Sequence, residues 1–203
     1  MLRLLGGGTA GNERLTALAG AMLIIPLAVI GITLLSLRGL LSVHLFVGLL
    51  LIPPVLLKLG STGYRFVGYY AHNASYRLRG APPMALRALG PAVVLTTLLV
   101  FASGVALLYV GPSSRGVLLP LHKVSFVAWV AFTGVHVLAH LGHMRNALTS
   151  KAWPLPGARA VTGREGRTLA LFGALAAGAV LAILLVPEFS AWLNWSSHFH
   201  RDH

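Results

Sequence analysis

Histidine inside a run apolar enough to cross a bilayer is the feature that most constrains this chain. The stretch Leu118–His143, LLPLHKVSFVAWVAFTGVHVLAHLGH, carries His122, His136, His140 and His143. An ionisable group at membrane depth is costly, so it normally faces protein, a cofactor or water and marks function by default. His122 and His136 stand fourteen positions apart. On a helix that is about 40° short of four turns, which puts both imidazoles on one face, about 21 Å apart along the axis. Two imidazoles near opposite edges of the hydrocarbon layer suit ligands of two stacked cofactors, and do not suit a single metal ion.

Composition places the whole chain in the membrane. Of 203 residues 56% are hydrophobic and only 10% charged, with a mean hydropathy of +0.79, whereas a soluble domain carries about 25% charged residues. The formal net charge of +12 does not argue for nucleic acid as a partner. Its basic residues sit in short loops between apolar runs, and no basic motif interleaved with aromatics occurs. Cysteine is absent, which excludes disulfides, cysteine-ligated iron–sulfur clusters and covalently attached c-type haem. The first apolar run is long and ends at Leu37-Arg38 without a small-residue cleavage pattern, so it is expected to be an uncleaved first span.

Five runs reach the roughly 20 residues a span requires: 15–37, 41–60, 91–110, 118–141 and 168–186, followed by a tail at 187–203. They form one membrane domain over 1–203, with no internal repeat. The second span is expected to continue as helix through Tyr64, Arg65 and Phe66 towards Tyr70, with a kink at Pro53-Pro54. Pro91 fits the first turn of the third span, where a missing N–H costs little. In this arrangement Arg3, Arg14, Arg65, Arg77, Arg79, Arg87, Arg145, Lys151, Arg159, Arg164 and Arg167 fall on one side, against Arg38, Arg115 and Arg201 on the other. By the positive-inside rule the amino terminus and both long loops are cytoplasmic and the carboxy terminus lies outside.

Spans two and four run in the same direction. His44 lies near the outer end of span two and His122 at a similar depth in span four. Fourteen residues past His44 comes Lys58, at the depth of His136. If the two helices face each other, His44 and His122 suit the axial positions of an outer haem b through neutral imidazole nitrogens. An inner haem would then lie between His136 and Lys58, or between His136 and another ligand. Lys58 has two further readings, snorkelling towards the interface and contact with a haem propionate. His140, one turn past His136, can serve as inner ligand or as a group near a quinone, and His143 reads as an interfacial residue. Trp129 lies between the two levels and reads as packing; Gly48, one turn after His44, leaves room for a flat macrocycle. In the segment Ser61–Arg87, Arg65 with Tyr64, Tyr69, Tyr70 and His72 reads either as an interfacial aromatic belt or as propionate pairing beside a quinone headgroup. Trp192-Leu193-Asn194-Trp195 reads as an interfacial anchor, and His198, His200 and His203 as a mobile tail.

HLFVGLLLIPPVLLKLGSTGYRF (His44–Phe66) and HKVSFVAWVAFTGVHVLAH (His122–His140) resemble the membrane cytochromes b of the b561-like and hydrogenase-cytochrome-b-like superfamily. The likeness is greatest to the bacterial membrane domains associated with molybdopterin-dependent, sulfite-oxidase-like oxidoreductases. It covers roughly Leu41 to Leu141. The resemblance implies a bacterial inner-membrane bundle that passes electrons between a quinone pool and a redox partner. His44, His122 and His136 match haem-linked positions and Lys58 matches a lysine of that pattern. The chain departs from the more familiar pattern, with histidine at both positions of each ligand pair, at Lys58. It also has no molybdopterin domain, so such a partner would be a separate protein.

The expectation is therefore an all-α integral membrane bundle of five helices with a four-helix haem-binding core, carrying electrons through one or two haems b. Two other classes compete. One is a non-haem metal enzyme using His136 and His140 at i, i+4, for which carboxylates are wanted; the only acids, Glu13, Glu165, Glu188 and Asp202, lie outside the spans. The other is a membrane anchor or assembly subunit with structural histidines.

Overall fold

The computed structural model describes residues 8–71, 84–149 and 163–198, with side chains over 8–71, 88–139 and 163–195. Its elements are α1 (Gly8–Leu35), α2 (Leu41–Tyr70), α3 (Met84–Val110), α4 (Leu118–Thr149), α5 (Arg164–Leu185), a 3-10 turn (Val186–Phe189) and α6 (Ser190–His198). No strand occurs among the described residues. Among the described residues five helical stretches are long and apolar enough to cross a membrane. In lipid every backbone polar group must be satisfied within its own segment, so chains of this composition cross as helices.

The ends of the elements refine the sequence expectations. α2 does continue to Tyr70, and it runs through Pro53 and Pro54 as one helix. α3 starts at Met84, so Pro91 lies inside it rather than in its first turn. α4 extends to Thr149. Helix resumes at Ser190–His198, where a tail was expected. Arg167, expected in a loop, lies inside α5 and is buried at 4% exposure.

The helices pack as two groups. α2 lies along α1 and α5, and α3 lies along α4, while α2 touches α3 only slightly and forms no extended seam with α4. The α2–α5 crossing is close enough that a Cβ added at Gly178 would collide with the Leu50 carbonyl. Lipid tails are as apolar as leucine, so small residues that let backbones approach supply much of the association between such helices. At the opposite end from the Tyr70 terminus of α2, both groups join in one core. Leu49, Leu107, Leu108, Ala182, Phe189 and Trp192 form its buried centre.

Trp192 closes this core. Its indole Nε1 donates to the Leu107 carbonyl at 2.9 Å, and its side chain is 8% exposed, so it is an internal clamp rather than the interfacial anchor expected of it. Leu107 O also accepts from the N–H of Gly111. Gly111 has φ 70, a left-handed cap conformation that a Cβ disfavours. Trp195 carries the guanidinium of Arg115 over its ring, 4.5 Å from the centroid. The turns, the 3-10 segment and α6 thus tie α3 to α5 at the end where His44 and His122 lie.

Candidate functional site: two facing histidines between α2 and α4

His44 is the fourth residue of α2 and His122 the fifth of α4. Although those helices have no packed seam, their imidazoles come together, with ring centroids 6.5 Å apart and planes at 89°. Neither imidazole hydrogen-bonds to the other; each is held from behind by a neighbouring helix.

Thr33 of α1 holds His44. Its Oγ1 lies 2.9 Å from His44 Nδ1 and donates its own proton to the Ile30 carbonyl at 2.6 Å. With that proton on Ile30 O the hydroxyl oxygen accepts from the ring, an arrangement that favours the Nδ1–H tautomer of His44. On the other side His122 Nδ1 lies 3.1 Å from the Val100 carbonyl and 3.1 Å from Ser103 Oγ. A carbonyl cannot donate, and Ser103 gives its proton to Leu99 O at 2.6 Å. His122 is therefore also the Nδ1–H tautomer. In both rings Nε2 is left with its lone pair and with no hydrogen-bond partner among the described residues. A neutral imidazole that donates from Nδ1 to an oxygen and offers Nε2 is the usual state of a metal-ligating histidine.

The spacing tests whether a haem iron fits between these rings. Two metal–nitrogen bonds of about 2 Å, with slightly more than 1 Å from each nitrogen to its ring centre, put the centroids about 6.3 Å apart. The observed 6.5 Å is the spacing such a pair requires. His122 is positioned further by Gly104 of α3, where an added Cβ would stand 3.1 Å from the imidazole Cε1. A Cβ at Gly48, by contrast, would meet nothing within 4 Å, leaving space one turn along α2 from His44. Along α4 an apolar groove of about 480 Å³ is lined by Trp129, Val130, Thr133, Gly134, Val137 and Leu138. Trp129 is packing with a polar tether: its Nε1 donates to Thr97 Oγ1 at 2.9 Å and its ring stacks with Phe126.

The remaining candidates are placed separately. Lys58 is turned to α1, where its amine donates to the Thr16 carbonyl at 3.2 Å and passes over Gly20, whose missing Cβ makes room for it. A polar seam surrounds it, with Asn12 donating to Ser61 O and Thr16 to Ser61 Oγ, both at 2.9 Å. Arg65 faces Glu13 of α1 at 3.8 Å. His136 is half-buried on α4. The side chains of His140, His143 and His198 lie outside the described residues, as do His72, His200 and His203. Among the described residues no three His, Asp or Glu converge as a metal-ligand group.

Sequence reasoning missed Thr33, Ser103 and Gly104. The one available signal was their height, since hydroxyls near the ends of α1 and α3 sit at the level of His44 and His122. These features define a class, an all-helical protein with, among the described residues, five helices able to cross a membrane and a close pair of histidines carried by two of them. No protein-family model matches the chain, and no curated protein or solved structure matches it either.

Proposed function

We propose that this chain is a membrane b-type cytochrome, an electron carrier with one haem b held between α2 and α4 by His44 and His122. The observation that carries the proposal is the pair of imidazoles 6.5 Å apart, each with an oxygen within hydrogen-bond distance of its Nδ1. Haem, when bound, supplies a reversible one-electron change at iron, and the protein supplies orientation and electrostatics. In this reading each Nε2 offers its lone pair, and the oxygens behind Nδ1 hold both rings against rotation. The proposal stops at one haem. Lys58, at the height of His136, gives its amine to Thr16 of α1, which lends no support to a second.

The resemblance over His44–Phe66 and His122–His140 supplies the proposed setting. Electrons pass between a quinone in the bilayer and a separate redox protein, of molybdopterin type by that likeness. The membrane is the bacterial inner membrane, with the amino terminus on the cytoplasmic side by the charge bias of the loops.

The test is the absorption spectrum of the purified full-length protein with pyridine haemochrome quantitation. The expected result is a Soret band with α-bands that sharpen on reduction and are lost in both His44→Ala and His122→Ala. A protein that binds metal without those bands is a non-haem metal protein. One with neither is an anchor or assembly subunit. Full haem content in both variants removes the proposed site.

A further inference from the structure

The two imidazoles are not held equally. His122 Nδ1 has two oxygens behind it, the Val100 carbonyl and the Ser103 hydroxyl, each at 3.1 Å. His44 Nδ1 has one, Thr33 Oγ1 at 2.9 Å. Thr33 is 1% exposed, so water cannot readily take its place. Its hydroxyl proton is turned to Ile30 O at 2.6 Å, which favours accepting over donating at the ring.

Building on the haem-ligand reading above, we propose that Thr33 is the positioning residue that keeps His44 competent as a ligand, whereas the same role at His122 is duplicated. A neutral imidazole carries one N–H. If the hydrogen moves to Nε2, that nitrogen has no lone pair left in the ring plane and can no longer ligate. Thr33 opposes that shift because the Nδ1–H form keeps two hydrogen bonds, ring to hydroxyl and hydroxyl to Ile30 O, whereas in the Nε2–H form the hydroxyl must leave Ile30 O to donate to the ring. Without the hydroxyl, Nδ1–H is buried with no acceptor and Nε2–H loses nothing by comparison. At His122 removal of Ser103 Oγ still leaves the Val100 carbonyl, a main-chain acceptor that no side-chain substitution deletes. α1 therefore belongs to the site through a single hydroxyl. Its contribution reaches ligand basicity as well, since a histidine that donates from its second nitrogen is a stronger electron donor to a metal.

The experiment has two readouts on full-length protein in detergent. In ¹⁵N-histidine-labelled protein purified without added haem, at a pH where the imidazoles are neutral, His44 and His122 are expected as Nδ1–H tautomers. Thr33→Val moves His44 to a mixture and Ser103→Ala leaves His122 unchanged. In haem-loaded protein, Thr33→Val weakens haem retention about 10- to 100-fold, the range typical of lost support behind a ligand, and raises the midpoint potential. Thr33→Ser restores both, and Ser103→Ala changes retention less than threefold. His44 remaining Nδ1–H in Thr33→Val, with retention and potential unmoved, overturns the proposal. So does loss of the His122 tautomer in Ser103→Ala, a result that stands even if Thr33→Val does not assemble. Failure of the haem reading itself shows separately, as full haem content in His44→Ala.

Discussion

His44 and His122 stand with their ring planes at 89°, and that angle has a spectroscopic consequence. Perpendicular imidazole planes donate into different iron d orbitals, which leaves those orbitals nearly degenerate, whereas parallel planes split them. With haem bound as proposed, the ferric state is expected to give a highly anisotropic low-spin electron paramagnetic resonance signal with one large g value. A well-resolved rhombic signal would show that the rings turn parallel around the iron.

Gly104→Ala places a methyl group 3.1 Å from His122 Cε1, tighter than an ordinary van der Waals contact. The ring is pinned at Nδ1 and cannot move without stretching those bonds. The variant is expected to keep its helix content by circular dichroism and to lose haem faster than the parent on transfer to apomyoglobin. Gly104→Val is expected to lose it faster still.

Lys58→Ala separates the α1–α2 seam from the histidine pair. The amine donates to Thr16 O and lies over Gly20, so the haem proposed between His44 and His122 is expected to stay at full stoichiometry by pyridine haemochrome. A loss of haem would bring Lys58 back as a ligand or propionate contact.

Gly178→Ala tests the packing of α2 on α5. The added methyl meets the Leu50 carbonyl and neighbouring backbone atoms, which cannot swing aside as a side chain can. Overpacking of this kind costs about 1–3 kcal/mol. It is expected to lower the thermal midpoint in detergent with the haem spectrum retained until unfolding begins.

Trp192→Phe removes the hydrogen bond to Leu107 O at 2.9 Å and keeps most of the apolar surface. A net loss of about 1 kcal/mol is expected from that bond. Trp192→Ala also empties a core position and should cost about 3–5 kcal/mol. Both are read from thermal or denaturant unfolding in the same detergent, and an unchanged midpoint in Trp192→Phe would show that the indole N–H contributes nothing.

Much of the architecture was legible in the chain itself. Five apolar runs separated by polar or basic segments leave helices as the spanning solution, because lipid offers no partner for an unpaired backbone group. The continuation of α2 to Tyr70 could be read in the same way. So could the common height of His44 and His122, since a helix rises by a constant amount per residue. The ends were less readable, as at Met84, where helix starts before the apolar run does.

Rotation of each helix about its axis is what one-dimensional periodicity leaves open, and it decided the rest. Only the packed structure turns Lys58 to α1, carries Trp192 into the core, and sets Thr33 and Ser103 behind the two imidazoles. A serine or threonine in an apolar helix bonds back to its own chain in almost any setting, so its sequence gives no sign of which partner it also serves. The histidines themselves announced a site because burying an imidazole in hydrocarbon is costly. Their facing one another follows from where α1 and α3 hold the rings, a relation between helices distant in sequence and joined only by the fold.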